Sequence, residues 1–284
     1  MSAIIMDGKA IAKSVQQSLV AEVEQLKKRG IKPGLAVILV GDDPASHVYV
    51  RNKEKACHEL GIDSSIYHLP QQTSQDTLLE LIQQLNCNEA VHGILVQKPL
   101  PAHVDDKQII AAISVAKDVD GFHPVSVGNL FIGDDGFVPC TPAGVMEMLK
   151  TYQIPVAGKR VVVIGRSNIV GKPMMGLLIR EHATVTICHS RTERLAEVTQ
   201  EADIVIAAIG QAEMIKPHHI KHGAVVIDVG MNRLANGKLV GDVEFDSVKE
   251  LASAITPVPG GVGRMTIAML MKNTIQAAQA SCDR

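Results

Sequence analysis

Aromatic residues are scarce in this sequence of 284 residues, which has no tryptophan, three tyrosines and four phenylalanines. The hydrophobic content is nevertheless 46%, so the cores must be built from aliphatic residues and methionine. A charge excess is also missing, because 28 basic residues are balanced by 30 acidic ones. This balance gives no electrostatic footprint for nucleic acid or for an anionic membrane. Small-molecule chemistry is therefore the function class that we expect.

Disulfide, membrane and metal signals are absent as well. The five cysteines are widely spaced and form no C-x-x-C pair, which indicates neither a disulfide framework nor a zinc site. No apolar run approaches the roughly 20 residues that cross a bilayer, and the N-terminus lacks the pattern of a signal peptide. The eleven histidines show no H-E-x-x-H or comparable spacing. We therefore expect a cytoplasmic protein without a metal site.

Short apolar runs alternate with helix-like stretches in the first half of the chain. Three runs suit buried strands, namely LAVILVG (35–41), SSIYHLP (64–70) and VHGILVQ (91–97). Helices are predicted over 45–60 and 74–86, and an amphipathic helix over 8–29 that is closed by Gly30. This alternation predicts an α/β fold with a parallel sheet and covering helices.

The second half repeats the alternation. Thr141 as N-cap and Pro142 at the first helical position predict a helix that begins near residue 142. Four apolar runs with strand character follow, namely RVVVIG (160–165), ATVTICH (183–189), ADIVIAAIG (202–210) and AVVIDVG (224–230). This order predicts a Rossmann-like domain. A final helix is predicted over 266–281, packed on one of the domains.

The stretch VVVIGRSNIVGKPM places a glycine turn between a strand and a helix, which is the context of a phosphate-binding loop. It is not a Walker A loop, because five residues separate Gly165 from Gly171 and Pro173 occupies the Ser/Thr position. It also departs from G-x-G-x-x-G, because Ser167 stands at the second glycine. The pattern indicates a variant dinucleotide turn, and an ordinary strand-to-helix turn is the alternative.

The segment TICHSRTER after the next strand favours NADP over NAD. An NAD site usually carries an acidic residue there, which binds the ribose 2′-hydroxyl. Here Ser190 and Arg191 occupy the region, no carboxylate precedes Glu193, and Arg166 lies in the glycine turn itself. Arginine and hydroxyl side chains can bind a 2′-phosphate, which an aspartate would repel.

The segment PASHVYVRNKEKA places Tyr49 and Lys53 four residues apart in a predicted helix that starts near Pro44. This spacing puts both side chains on one helix face, within reach of a common ligand. Taken alone, the pair fits a solvated lysine and a half-buried tyrosine better than an active site.

Five segments, which occur in the same order as in that family, resemble the bifunctional methylenetetrahydrofolate dehydrogenase/cyclohydrolase family. The resemblance extends over nearly the whole chain. The five segments are PASHVYVRNK (44–53), GILVQKPLP (93–101), KDVDGFHP (117–124), PCTPAG (139–144) with GRSNIVGKP (165–173), and TPVPGGVGRMT (256–266). Two positions depart from the family pattern. Lys98 stands where leucine is usual, and Arg264 where proline is usual.

The resemblance implies a homodimer of two-domain α/β subunits with folate bound in a cleft between the domains. Residues 1–140 plus 267–284 would form the folate-binding catalytic domain, and 141–266 a Rossmann-like NADP-binding domain. The chain would oxidise 5,10-methylenetetrahydrofolate with NADP and hydrolyse the methenyl product to 10-formyltetrahydrofolate.

The resemblance also assigns residues to sites. The catalytic residues would be Tyr49, Lys53, Gln97 and Asp120. The folate site would consist of these four with Pro99, Leu100, Pro259, Gly260 and Gly261. The NADP site would consist of Gly165, Arg166, Ser167, Ile169, Gly171, Pro173, Ser190 and Arg191.

The two reactions make different demands on these side chains. Hydride transfer from the methylene bridge needs orientation more than a base, whereas attack of water on the methenyl cation benefits from one. Lysine has an ordinary pKa of about 10.4, so Lys53 would have to be held partly neutral by burial or by the substrate cation. Gln97 and Tyr49 would orient its amine, and Asp120 would accept a hydrogen bond from the pterin. For Asp120 alone, a structural residue of a DVDG turn is the alternative.

Three other functions fit parts of the sequence. Short-chain dehydrogenases also use a Tyr-x-x-x-Lys pair, but there it follows the dinucleotide turn, whereas here it precedes the turn by more than a hundred residues. A shikimate- or amino-acid-type dehydrogenase would share the domain order but not the VQKPLP and PVPGGVG segments. A non-catalytic NADP-sensing protein would have no need of the four catalytic side chains together.

Overall fold

The structure is a computed structural model that describes residues 3–281. It contains two compact units. The first unit consists of Ser14–Cys140 with the C-terminal segment from Ile267, and the second unit of Thr141–Thr266 with the N-terminal segment up to Lys13. Residues 1–2 and 282–284, which the predicted domain bounds include, lie outside the described residues. Within 3–281, no helix combines the length and the apolar character needed to cross a membrane.

The strands and helices of the described residues alternate along the chain. The strands are β1 (Ile4–Ile5), β2 (Gly34–Val40), β3 (Asp63–Leu69), β4 (Gly93–Val96), β5 (Arg160–Ile164), β6 (Thr184–Cys188), β7 (Ile204–Ala207), β8 (Val225–Asp228), β9 (Asn232–Arg233), β10 (Leu239–Val240) and β11 (Ala254–Ile255). The α-helices are α1 (Gly8–Lys28), α2 (Pro44–Leu60), α3 (Gln75–Cys87), α4 (Asp106–Ala112), α5 (Pro124–Ile132), α6 (Cys140–Thr151), α7 (Gly171–Arg180), α8 (Leu195–Gln200), α9 (Phe245–Val248) and α10 (Val262–Ser281).

The first unit has a three-stranded parallel sheet in the order β3-β2-β4. The central strand β2 is buried along its whole length, as its unbroken apolar run predicts, whereas the edge strand β3 is partly exposed. Ile38 and Ile94 of the sheet share a core cluster with Leu78 and Ile82 of α3. The three predicted strands and the helices α1, α2 and α3 are confirmed, with bounds that differ by no more than two residues.

Both ends of α2 are fixed by local signals. Asp43 caps its N-terminus, since a carboxylate oxygen accepts a hydrogen bond of 2.7 Å from the amide of Ser46, and Pro44 follows in the first turn. The helix ends at Gly61, whose φ of 73° is left-handed and suits glycine. The predicted start of this helix is confirmed.

The second unit has a six-stranded parallel sheet in the order β1-β11-β8-β7-β5-β6. Strands β7 and β8 are fully buried, and β5 is buried except for its first residue, as expected for a sheet covered on both faces. This confirms the predicted Rossmann-like fold. A short antiparallel pair, β9 and β10, accompanies the sheet.

The N-terminal segment up to Lys13 belongs to the second unit, whereas the family resemblance implied that it belongs to the first. The reason is that β1 pairs in parallel with β11, with Ile4 opposite Ala254. Both strands have only two residues, too few to show a periodicity in the sequence.

Two helix starts differ from the predictions. Helix α6 begins at Cys140, so Thr141 lies inside the helix and is not its N-cap. The Thr141 hydroxyl instead lies 2.9 Å from the hydroxyl of Thr266, a tertiary contact that replaces a local cap. Helix α10 begins at Val262, four residues before the predicted start, and accommodates Gly263 in its first turn.

Candidate active site

The amine of Lys53 is held by an uncharged side chain in the first unit. Lys53 is only 9% exposed, and its Nζ donates a hydrogen bond of 2.8 Å to Gln97 Oε1. Gln97 follows β4, where its backbone N–H donates to Ile38 O at 2.8 Å and extends the sheet. Its side-chain Nε2 donates to Lys98 O at 2.7 Å. The amide therefore presents an acceptor to Lys53 and adds no charge.

Tyr49 lies one turn before Lys53 on α2, as the spacing predicts. The tyrosine is 37% exposed, so a ligand can reach its ring, whereas Lys53 is buried. The helix thus carries an exposed aromatic ring and a buried amine on one face.

The segment after Gln97 is shaped by a cis peptide bond between Lys98 and Pro99. Lys98 Nζ forms an ion pair of 2.6 Å with Asp106 Oδ2 on α4. Lys98, Leu100 and Asp120 line one small pocket. Through this pocket, the Lys53–Gln97 hydrogen bond and the charge interaction of Lys53 with Asp120, the structure brings together four of the residues that were assigned to folate, namely Lys53, Gln97, Leu100 and Asp120.

Asp120 lies in a loop that is held by a second carboxylate, Asp118. Asp118 is buried and accepts hydrogen bonds from the amides of Phe122 and His123, at 3.1 and 2.9 Å, and from the Ser126 hydroxyl at 2.7 Å. Asp120 is partly buried. The DVDG segment is therefore a turn, as the structural alternative holds, and the turn also delivers Asp120 to the pocket.

Burial changes the protonation of the two charged groups. It lowers the pKa of Lys53, and the charge of Asp120 opposes this shift. Burial also raises the pKa of Asp120 to about 6, an effect that Lys53 opposes and Asp118 reinforces. A neutral Lys53 amine is therefore more accessible at physiological pH than for a solvated lysine.

Cys140 lies close enough to Lys53 and Asp120 for its charge state to interact with theirs. Burial raises the pKa of its thiol well above the usual value, and its Sγ donates to Val119 O at 3.4 Å. Cys140 is thus a protonated thiol rather than a nucleophile.

The glycine turn of the second unit is determined by two close backbone approaches. Gly165 has φ 125°, and a Cβ there would collide with Ala208 O. A Cβ on Gly171 would collide with Gly165 O. Only glycine fits either position, so the backbone of this turn remains bare for a ligand, as a dinucleotide site requires.

The turn satisfies several amides at the start of α7 by itself. Ser167 Oγ accepts from Val170 N at 3.1 Å and from Gly171 N at 3.4 Å, and Ser167 O accepts from Lys172 N at 3.1 Å. Pro173 has no N–H to offer. Ser167 therefore shapes the loop, while Arg166 and Ile169 are exposed beside it.

Ser190 and Arg191 follow the neighbouring strand β6, whose residue Cys188 pairs with Ile164 of β5. Parallel strands place their carboxyl ends at one edge, so this segment and the glycine turn share that edge. His189 N donates to Thr192 Oγ1 at 2.9 Å, and Arg191 N donates to His189 Nδ1 at 3.1 Å. Ser190 and Arg191 are thus exposed on a fixed turn.

A buried carboxylate that no sequence pattern indicated holds a third loop at this edge. Asp242 is fully buried and accepts hydrogen bonds of 2.6 to 3.0 Å from three successive amides, those of Ile209, Gly210 and Gln211. Asp228 in turn accepts from the amide of Asp242 at 2.9 Å. Asp228 lies in a D-V-G segment and Asp242 in a G-D-V-E segment, and neither residue pattern indicates that the carboxylate is buried.

The remaining residues assigned to folate, Pro259, Gly260 and Gly261, belong to the second unit. The Val258–Pro259 peptide bond is cis, and Gly260 has φ 112°. Gly260 O accepts from Lys9 N at 3.1 Å, and a Cβ on Gly8 would collide with Gly261 O. The N-terminus of α1 therefore fixes this glycine segment.

Known proteins resemble the chain over both units. A family model of the tetrahydrofolate dehydrogenase/cyclohydrolase catalytic domain matches residues 6–120, and one of the NAD(P)-binding domain of the same family matches residues 139–282. Bifunctional protein FolD of Halalkalibacterium halodurans is 60% identical over 98% of this chain and 100% of its own length.

Solved structures agree with these matches. Bifunctional FolD from Campylobacter jejuni is 50% identical with a TM-score of 0.97, over 98% of this chain and 99% of that one. FolD of Trypanosoma brucei, complexed with NADP cofactor and inhibitor, is 42% identical with a TM-score of 0.97, over the full length of both chains. The chain thus belongs to the tetrahydrofolate dehydrogenase/cyclohydrolase family.

Proposed function

We propose that this chain oxidises 5,10-methylenetetrahydrofolate to 5,10-methenyltetrahydrofolate with NADP and then hydrolyses the product to 10-formyltetrahydrofolate. The observation that carries the proposal is the buried Lys53 amine, which is bound to a neutral amide and whose pKa burial lowers. That arrangement is suited to accept a proton. Family membership supplies the substrate class and sets aside the two rival dehydrogenase families.

The residues of the second unit fit NADP. Gly165 and Gly171 keep the turn free of side chains, and Arg166, Ser190 and Arg191 offer a hydroxyl and two cations for a 2′-phosphate. When bound, NADP supplies the hydride acceptor. In this proposal Ser167 shapes the turn, Ile169 contributes apolar contact, and Pro173 leaves no unsatisfied N–H in the first turn of α7.

The dehydrogenase step needs no base from the protein. The hydride leaves the carbon between the two folate nitrogens, whose lone pairs stabilise the resulting cation. Tyr49 would pack against the folate, Asp120 would accept a hydrogen bond from the pterin, and Pro99 and Leu100 would border the ring. Their contribution is orientation and the exclusion of water.

The cyclohydrolase step needs a proton acceptor. A water oxygen bonds to the methenyl carbon as the C=N⁺ π electrons return to nitrogen, and one water proton goes to Lys53 Nζ. The bond between this carbon and N5 then breaks, N5 takes the proton back from Lys53, and the new hydroxyl loses its proton to solvent, which leaves the formyl group on N10. Gln97 Oε1 fixes the direction of the amine, and Asp120 offsets the positive charge that Lys53 gains. This assigns one catalytic side chain to proton transfer and the others to positioning.

We assign folate binding to the first unit and NADP binding to the second, with Pro259, Gly260 and Gly261 as the folate contacts contributed by the second unit. A homodimer and a cytoplasmic location follow from the family resemblance and from the cysteine pattern, and both stay predictions.

One spectrophotometric assay tests the proposal. With purified protein, methylenetetrahydrofolate and NADP, we expect NADPH formation, and with methenyltetrahydrofolate alone we expect hydrolysis above the non-enzymatic rate. NADP binding without either turnover would favour the NADP-sensing alternative.

A further inference from the structure

A cluster of two histidines and a carboxylate lies in the first unit, separate from the residues assigned to folate. Asp42, His47 and His68 each offer one ligand atom, and these atoms lie within 4.8 Å of one another. Asp42 Oδ1 is 3.1 Å from His68 Nε2 and 3.6 Å from His47 Nε2. The two imidazole rings meet edge to face, with centroids 5.1 Å apart. Neither reaction proposed above uses these groups.

Each member of this cluster is placed by a regular element. Asp42 follows Gly41, the residue after β2, whose φ of 87° turns the chain and whose N–H donates to Leu69 O at 2.9 Å. His68 lies in β3, opposite Leu39 of β2. His47 lies in the capped first turn of α2. The three ligand atoms are therefore brought together by the fold before any ion binds.

A further oxygen adjoins the cluster. The carbonyl oxygen of Gly41 lies 3.1 Å from His68 Nε2, on the same turn that carries Asp42. The side chains of His47 and His68 are 35% and 45% exposed, and that of Asp42 is 78% exposed. An ion can therefore enter from solvent, and open coordination positions can be filled by water.

We propose that Asp42, His47 and His68 form a binding site for a divalent transition metal of the zinc class. Two imidazole nitrogens with one carboxylate match the donor set of three-ligand zinc sites. Magnesium and calcium prefer sites made of oxygen, so the two imidazoles select against them. His47 and His68 are 21 positions apart and come from different elements, so no sequence motif predicts this metal site.

The bound ion would connect the first turn of α2 to both β2 and β3. That turn directly precedes Tyr49, so the site would stiffen the start of the helix that carries the proposed catalytic pair. The role is structural, and no step of the folate reactions passes through the metal.

Isothermal titration of the chelator-treated, folded chain with zinc chloride tests this site. We expect one equivalent of Zn²⁺ to bind, and each of Asp42→Asn, His47→Gln and His68→Gln to weaken its binding by at least 10- to 100-fold, the loss that even outer-shell changes cause at metal sites. His218→Gln is the matched control, because His218 also contacts a neighbouring histidine ring and is exposed. It should bind as the unchanged chain does.

Thermal unfolding with and without Zn²⁺ gives a second readout on the same proteins. The Tm of the unchanged chain and of His218→Gln should rise with Zn²⁺, and that of the three ligand variants should not. Because none of the three substituted side chains is buried, the variants should fold, which circular dichroism checks. Equal Zn²⁺ affinity of the unchanged chain and an H47Q/H68Q double variant would overturn the proposal, as would Mg²⁺ binding as tight as that of Zn²⁺.

Discussion

The surroundings of Lys53 in the first unit and the glycine turn of the second unit are built by opposite means. Lys53 and Asp118 are buried and take their properties from side-chain partners and from removal from water. Arg166 and Arg191 are exposed, and backbone geometry places both. Arg166 follows Gly165, a position that only glycine fits, and Arg191 lies on a turn held by hydrogen bonds of the His189 and Arg191 amides. Proton transfer requires a shifted pKa, which burial provides, whereas binding of a charged phosphate requires accessible cations.

The largest effect should come from the buried amine. We expect Lys53→Gln to lower the cyclohydrolase rate by about 10²- to 10⁴-fold, the usual cost of losing a general base. The dehydrogenase rate should fall much less, because that step transfers no proton to the protein. Both activities are measured on the purified variant, with methenyl consumption followed separately from NADPH formation and non-enzymatic hydrolysis subtracted.

Tyr49→Phe is the comparison variant for this experiment. It keeps the ring on α2 and removes only the hydroxyl, so its cyclohydrolase rate should fall less than that of Lys53→Gln. Equal losses in both steps for Lys53→Gln would mean that the lysine positions folate and that the base lies elsewhere.

The exposed cations should affect cofactor choice instead. We expect the double variant Arg166→Ala, Arg191→Ala to lower kcat/KM for NADP by about 10- to 100-fold for each charge-assisted hydrogen bond lost, at about 1.5 to 3 kcal/mol each. The value for NAD should change little, because NAD has no 2′-phosphate. Measuring kcat/KM with both cofactors checks this.

Two results would contradict that assignment. One is a preference of the unchanged chain for NAD, and the other is a double variant that keeps its NADP preference. Arg160→Ala is a suitable control, since Arg160 is exposed at the opposite end of β5, where it pairs with Glu201.

The sequence disclosed the second region more fully than the first. A glycine pattern reports backbone geometry directly, so the turn at Gly165 and its strand and helix could be read from residue types. The partnership of Lys53 with Gln97 joins residues 44 positions apart and became an expectation only through the family resemblance. Burial raises the pKa of Asp120, and the burial of a single residue cannot be predicted from the residues next to it in the sequence.

Buried carboxylates were the main feature of the structure that the sequence did not predict. Asp118 accepts three hydrogen bonds and Asp242 accepts four, yet both look like ordinary turn residues in the sequence. The two-residue strand β1 was missed for a different reason, since a pairing so short leaves no periodicity. The predicted start of α6 was wrong because the Thr141 hydroxyl makes a tertiary contact instead of capping the helix.

Asp120 allows a test by pH. Its pKa of about 6 in the folded state exceeds the value of about 3.9 for an unfolded chain. The folded state therefore holds this proton to higher pH, and the contribution of Asp120 to stability falls as pH rises from about 4 to 6. Asp120→Asn removes this dependence of stability on pH. The free energy of unfolding of the variant, measured relative to that of the unchanged chain, should therefore increase by at most about 3 kcal/mol from about pH 4 to 6.

Denaturant unfolding of both proteins between pH 4 and 7 measures that difference in stability.

The activity of the unchanged chain should increase over the pH range in which its stability falls, because the ionised carboxylate of Asp120 is the better acceptor for the pterin N–H. We expect kcat/KM of the unchanged chain to rise with pH through about 6 and this limb to vanish in Asp120→Asn. A difference in stability that is independent of pH would show that Asp120 titrates normally.

Lys98 should give the smallest effect, because it combines features of both regions. Its side chain is 30% exposed and is already paired with Asp106, which is 47% exposed. We expect Lys98 to assist the anionic glutamate tail of folate, so Lys98→Leu should raise KM for folate by no more than about fivefold, equivalent to the ~1 kcal/mol upper range of exposed ion pairs. The increase should be larger for polyglutamylated folate and at low salt.

Asp106→Asn separates the two roles of Lys98. Removing the competing carboxylate leaves the lysine charge available to the folate tail, so this variant should lower KM where Lys98→Leu raises it. The double variant should behave like Lys98→Leu alone, because Asp106 acts on folate only through Lys98. If KM for mono- and polyglutamylated folate is unchanged in Lys98→Leu at low salt, the lysine serves only its ion pair with Asp106, and the departure from leucine at this position has no part in substrate binding.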